Sequence, residues 1–211
     1  MHRLIMNSQA YRQSSRVTEV HLKLDPQNRL VSRMMLRRMS AEALRDSLLY
    51  VSQCLDETPG GPPDSVAVDS DGFVSVTASR DGRWRRSVYV QYRRTQIPSV
   101  MDTFDYPQMG PNCLVRNIST VSPQSLMLMN NGHIRDLAKS FALRVLSEAK
   151  GQSRESQIDL VYQIALSRMP TDSERRLGAV ALQQLESDWQ GQPTKAMESY
   201  CHAILNSAAF I

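Results

Sequence analysis

From residue 40 onward, apolar residues recur mostly at helical spacing. Ala41, Leu44, Leu48, Val51 and Leu55 fall every three or four positions, as one buried helical stripe requires. Ser40 supplies an N-cap and Glu42 complements the helix dipole in the first turn. The run Pro59-Gly60-Gly61-Pro62-Pro63 predicts a firm stop. Between 64 and 94 the period changes to two. Val66 and Val68, then Val74, Val76 and Ala78, flank Asp69-Ser70-Asp71-Gly72, a hairpin signature. Asp81-Gly82 marks a further turn, and Val88, Val90 and Tyr92 alternate with polar neighbours, predicting a third strand. So small a sheet needs a larger layer to pack on.

The helical period returns at 122. Ser122-Pro123 predicts a cap followed by a proline in the first turn, and Leu126-Met127-Leu128-Met129, apolar all round, predicts a buried turn. Ile134, Leu137, Ala138, Phe141 and Val145 form the next stripe. Ile158, Val161, Tyr162 and Ala165 form another, stopped by Pro170. Thr171-Asp172-Ser173-Glu174 matches a capping box, and the helix it opens is expected to bury Leu177, Val180, Ala181, Leu185 and Trp189. Met197, Tyr200, Cys201, Ile204, Leu205 and Ala208 complete a last amphipathic helix. Helices of this length are marginal alone and must pack on one another.

The fold class predicted is mainly α (α+β): a helical bundle with a small antiparallel β-hairpin or three-strand insertion around 64–94. Residues 1–211 read as a single domain, with an N-terminal helical part over 1–63, a β insertion and polar loop over 64–121, and a C-terminal helical bundle over 122–211. Residues 9–32 are polar, and Asp25-Pro26-Gln27-Asn28 is a turn signal. The start, Met1-His2-Arg3-Leu4-Ile5-Met6-Asn7-Ser8, has no signal-peptide core and reads as the last turns of a helix. The expectation is therefore a C-terminal piece of a larger protein.

Composition narrows the chemistry. The 211 residues carry a net charge of +4, all of it before residue 122, so no strongly basic face for nucleic acid is expected. Twenty-one of the 25 basic residues are arginine, suited to planar recognition of carboxylate or phosphate; genome base composition produces the same bias. Cys54, Cys113 and Cys201 lie far apart, without a C-x-x-C or C-x-x-C-H, which disfavours zinc and covalent haem within this chain. Their odd number argues against a complete disulfide framework. No apolar run approaches the roughly 18–20 residues of a membrane span.

The densest cluster of polar and aromatic residues runs from Arg85 to Leu126, and Arg85, Arg86, Tyr89, Asp105 and Arg116 are its candidate ligand-binding residues. Asp102 and Asp105 with Arg116 offer the parts of an acid/base pair beside an anion-stabilising arginine, which would suit a hydrolase acting on polysaccharide. Carboxylates three apart in a loop more often cap a turn. Arg83-Trp84-Arg85-Arg86 interleaves cations with an aromatic, as single-stranded nucleic-acid surfaces do, yet no nucleic-acid-binding signature accompanies it. Ser147-Glu148-Ala149-Lys150 fits S-x-x-K without its partner motifs. Asp69-Ser70-Asp71-Gly72 lacks the later ligands of a calcium loop. The histidines at 2, 21, 133 and 202 stand singly and read as structural or solvated. No complete catalytic or metal motif emerges.

Several ordered motifs nonetheless carry a resemblance. They are His2-Arg3-Leu4-Ile5, Tyr11-Arg12-Gln13-Ser14-Ser15, Asp25-Pro26-Gln27-Asn28-Arg29-Leu30 and Arg37-Arg38-Met39-Ser40-Ala41-Glu42-Ala43-Leu44-Arg45-Asp46. Gly60-Gly61-Pro62, Arg86-Ser87-Val88-Tyr89, Phe104-Asp105, Arg116, Pro123-Gln124-Ser125-Leu126 to Asn130-Asn131 and Arg168-Met169-Pro170-Thr171 follow. Together they resemble the C-terminal planctomycete-specific domain of planctomycete cytochrome-type surface proteins. The resemblance implies an export signal and often a haem module upstream, and a cell-envelope or periplasmic location; a chain truly starting at Met1 would instead be cytoplasmic. It implies no established activity, and haem only in the upstream module. The expectation is a non-catalytic binding or docking module. Its partners would be other domains of a parent protein or a partner protein, with a glycan as a further candidate. The hydrolase and nucleic-acid readings are alternatives.

Overall fold

The computed structural model describes residues 1–78, 81–107, 113 and 115–211; the remaining residues of the 64–121 stretch lie outside that description. The chain divides into two compact units, Met1–Arg38 and Met39–Ile211.

The first unit holds two short helices, α1 (His2–Met6) and α2 (Glu19–Leu24). Thr18 caps α2 reciprocally with His21: Thr18 Oγ1 accepts from the His21 N–H, and His21 Nδ1 accepts from the Thr18 N–H, both at 3.3 Å. The predicted turn at 25–28 is present. Its Asp25 carboxylate is buried and accepts from the N–H groups of Arg29 (2.7 Å) and Leu30 (3.0 Å) and from the Ser32 hydroxyl (3.2 Å). No apolar side chain of this unit is buried.

The second unit begins with α3 (Ala41–Val51), followed by β1 (Leu55–Asp56), β2 (Val66–Val68), β3 (Val74–Val76) and β4 (Trp84–Arg85). The Ser40 hydroxyl accepts from the Ala43 N–H, as expected of the cap. α3 ends at Val51, well before Pro59: the Ser52 hydroxyl donates back to the carbonyls of Leu48 and Leu49, and Gln53 takes a φ of 60°. The hairpin forms where the alternation placed it, with Val66 opposite Val76 and Val68 opposite Val74. Asp69 Oδ1 ties its turn by accepting from the N–H groups of Asp71 and Phe73.

The third strand expected from Val88, Val90 and Tyr92 does not join that hairpin. Ser87–Tyr89 is a 3₁₀ turn, and Val90 makes one isolated parallel bridge to Asp64. The second strand pair is instead β1 with β4, parallel, with Leu55 beside Trp84. Ser87 explains the difference. Its N–H and hydroxyl both donate to Asp46 Oδ1 on α3, each at 2.7 Å, which draws the backbone into a turn.

Beyond the short α4 (Ser99–Thr103) the unit is helical: α5 (Ser122–Asn130), α6 (Gly132–Glu148), α7 (Arg154–Leu166), α8 (Asp172–Asp188) and α9 (Pro193–Leu205). The protein is mainly α with a small β insertion. α6 and α9 form the spine, α8 packs on α9 and α7, and α3 with α4 closes the other side. Ile134, Leu137, Ala138, Phe141 and Val145 are buried as the stripe predicts, as are Ile158, Val161 and Tyr162, and Met197 through Leu205 on α9's inner face.

Three expectations need correction. The cap of α5 lies one residue earlier, at Val121, whose N–H donates to Gln124 Oε1. Of Leu126–Met129 only Leu128 is buried; Leu126 and Met129 are more than half exposed, because α5 offers just one face, Gln124 and Leu128, to its neighbours. On α8, Leu177, Val180 and Trp189 are exposed, Ala181 and Leu185 pack partly buried against the core, and Gly178 and Leu182 are the buried pair. Its packed face is rotated by one residue from the expected one, bringing Gly178 against Tyr200 and Ile158.

Candidate functional site

The polar residues of the 85–116 region do not form one site. Arg85 is buried at the end of β4, where Nε (3.0 Å) and Nη2 (2.7 Å) donate to Asp64 Oδ1 and the other donors reach the carbonyls of Gly60 and Pro62. Its guanidinium lies 4.7 Å from the centre of the Tyr89 ring. The Asp64 carboxylate raises its already high pKa further. This arginine fastens the Pro-Gly loop of 59–63 to the insertion. Arg86 is exposed and pairs with Glu57 at 3.6 Å.

Asp105 sits at a φ of 61° after α4. Its carboxylate accepts from the Ser119 N–H at 2.8 Å and from the Ser119 hydroxyl at 2.8 and 3.0 Å. Asp102 is exposed, and the two acids open on a surface depression of about 370 Å³ with Asn117 and Cys113. Arg116 points elsewhere, placing Nη1 2.8 Å from each Glu42 oxygen. Asp105 and Arg116 therefore fasten the same loop at two points, Ser119 to the end of α4 and Arg116 to Glu42 on α3, without meeting at one site.

The more enclosed space lies behind the hairpin. A cavity of about 220 Å³ is bounded by Arg45, Leu48 and Leu49 of α3, Phe73 and the β3 residues that follow it, Trp84, Pro98, Val100, and His133, Ile134 and Leu137 on α6. α4 positions one wall: its Ser99 hydroxyl accepts from the Val74 N–H at 2.9 Å, tying the hairpin to the helical layer. Trp84 positions another, donating Nε1 to the Val76 carbonyl at 3.0 Å and meeting the His133 ring edge-on at 4.6 Å between centroids.

Arg45 is the charged group of this cavity and is only 9% exposed. Its polar contacts with described residues run through Nη1: the Arg85 carbonyl at 3.0 Å, the Ser87 hydroxyl at 3.2 Å and Asp46 Oδ1 at 3.5 Å. Nε and Nη2 have no hydrogen-bond partner among the described residues. Burial lowers its pKa, opposed by the charges of Asp46 and Asp64, and a guanidinium stays cationic regardless. Burial also lowers the pKa of His133, and the Arg45 charge lowers it further. The neutral imidazole is thereby favoured, and Arg45 is the cation among the described residues that line the cavity.

Sequence reasoning missed Arg45 and His133 as site residues and placed Trp84 only in a basic surface patch. A signal was present for Arg45, an arginine four residues after Ala41 and three before Leu48 on a buried stripe. His133 gave none, since its role depends on Trp84 arriving from a distant strand.

Among the described residues no group of three or more His, Cys, Asp or Glu could hold a metal ion, the three cysteines are unbridged, and no helix is long and apolar enough to cross a membrane. A family model described as PSD1, Protein of unknown function (DUF1553), matches residues 1–182, and the chain belongs to that family. No curated protein and no solved structure matches it.

Proposed function

We propose that this member of the DUF1553 family is a non-catalytic binding module whose ligand site is the cavity between the hairpin and the helices. The observation that carries the reading is the largely buried Arg45, whose Nε and Nη2 make no hydrogen bond to described residues and stay accessible at an otherwise mainly apolar wall. Accessible guanidinium donors in a largely buried side chain are available to a ligand that completes their hydrogen bonds, and a concave apolar site with a few convergent polar groups is the usual form of a ligand pocket. Arg85 and Ser87 then act as positioning residues, holding Nη1 so that the rest of the guanidinium stays on the cavity side. Arg86, Tyr89 and Arg116 flank the insertion and are the surface offered to neighbouring domains of a parent protein. The resemblance to C-terminal domains of planctomycete cytochrome-type surface proteins supports an envelope setting for that parent.

The test is retention of small molecules by the purified full chain after dialysis against a cell extract, read by mass spectrometry. Wild type is compared with Val100→Phe, which fills the cavity. The reading requires at least one compound retained by wild type and lost by the variant while helical circular dichroism is kept. Nothing retained by wild type, or equal retention by both proteins, overturns it.

A further inference from the structure

Resting on that reading, we infer that the cavity takes a small monocarboxylate with a compact apolar body, such as an aryl or branched short-chain acid, its carboxylate paired side-on with Arg45 Nε and Nη2. The argument begins with which donors are left. Nη1 is held by the Arg85 carbonyl and the Ser87 hydroxyl, so the unpartnered donors are the adjacent pair on one edge of the guanidinium. Two parallel N–H groups on one planar edge match the two oxygens of a carboxylate.

Charge points the same way. Asp46 is the nearest anion, but its Oδ1 lies 3.5 Å from Arg45 while accepting two 2.7 Å bonds from Ser87. It neutralises Arg45 incompletely, and a ligand anion would complete the pairing in a medium where the attraction is weakly screened. With the neutral form of His133 favoured, a dianion such as phosphate would meet one positive charge among the described lining residues and an otherwise mainly apolar wall.

Size and lining set the other half of the ligand. The cavity of about 220 Å³ exceeds the roughly 150 Å³ of an apolar cavity that accepts benzene, leaving room for one ring or its branched equivalent plus a carboxylate. Leu48, Leu49, Val76, Val100, Ile134 and Leu137 supply apolar contact, and the Trp84 indole forms part of the wall.

The indole also supplies the readout. Trp84 and Trp189 are the two tryptophans, so Trp189→Phe in the full chain leaves Trp84 as the single reporter. Phenylacetate is titrated against its neutral isostere phenylacetamide, with Val100→Phe as the blocked cavity. The acid should change Trp84 emission saturably and bind at least about tenfold more tightly than the amide, as expected for a charge-assisted pair; Val100→Phe should abolish the response with its helical signal intact. Equal binding of acid and amide overturns the anion assignment and leaves the binding module standing. Inorganic phosphate competing with phenylacetate overturns the apolar body, and a response surviving in Val100→Phe places the acid elsewhere and overturns the site. If wild type retains a compound from cell extract yet ignores phenylacetate and isovalerate, the monocarboxylate class is wrong while the pocket is not. Failure of both experiments removes both conclusions.

Discussion

Gly178 is the position where helix packing can be weighed against helix propensity in one substitution. On an open helix, alanine in place of glycine gains about 1 kcal/mol. A Cβ at Gly178 would lie 2.5 Å from the Tyr200 hydroxyl and 3.3 Å from two methyl carbons of Ile158. Both neighbours are buried, so the tyrosine cannot simply swing away. Forcing a methyl into such a site costs roughly 1–3 kcal/mol, which exceeds or cancels the propensity gain. Gly178→Ala is therefore expected to be destabilising by about 1 kcal/mol, lowering Tm by roughly 2–4 °C for a chain of this size. Urea unfolding of wild type, Gly178→Ala, Tyr200→Phe and the double variant isolates the cause. Removing the hydroxyl removes the closest contact, so Gly178→Ala should be neutral or stabilising in the Tyr200→Phe background. The coupling between the two positions should reach about 1–3 kcal/mol. A single variant more stable than wild type, or additive effects in the cycle, would refute the proposed packing.

Two further outcomes follow from the polar network. Glu174 accepts from the Thr171 N–H at 2.8 Å and pairs with Arg168 at 2.7 Å, and mainly that arginine lowers its pKa from 4.5 to about 2. A depressed carboxylate pKa adds stability above the unfolded value that is lost as pH falls from about 4.5 to 2. Both side chains are partly exposed, so the margin of wild type over Glu174→Gln should be about 1 kcal/mol at pH 6 and shrink towards pH 2; a margin independent of pH sinks this account. Asp64→Asn should lower Tm more than Arg86→Ala, because the first leaves the buried Arg85 without its carboxylate while the second removes only an exposed 3.6 Å pair. Thermal melts showing the reverse order would make Arg86 the structural residue.

Features set by a local motif were legible in the sequence. Ser40 and Thr171 cap α3 and α8 as their positions imply, Asp69–Gly72 turns the hairpin, and the stripes of α6, α7 and α9 face inward. What escaped depends on contacts between distant residues. Val88, Val90 and Tyr92 have a strand's alternation, but Asp46 captures Ser87 from 41 positions away. The apolar side of α8 includes both Leu177 and Leu182; only the arrival of Tyr200 decides that the glycine edge turns inward. The site divided the same way. Arg85, Tyr89, Asp105 and Arg116 looked alike as a polar cluster, yet only Arg85 and Tyr89 meet, while Asp105 holds Ser119 and Arg116 reaches Glu42 on α3. Arg45 and His133 belong to helices 80 residues apart in sequence and acquire a common cavity only through folding.

The hairpin over the cavity also bears on kinetics. β2 and β3 form a sheet of two strands, an arrangement close to marginal on its own, whereas the opposite wall belongs to the main helical core. Local opening follows the weakest cooperative unit rather than the whole fold. Exchange of anything held against Arg45 would then be timed by release of the Val74–Ser99 and Trp84–Val76 bonds, giving slow association and slow departure without global unfolding. In that arrangement residence time becomes a property of the β insertion and can be tuned at Ser99 without altering a single group that touches the bound molecule.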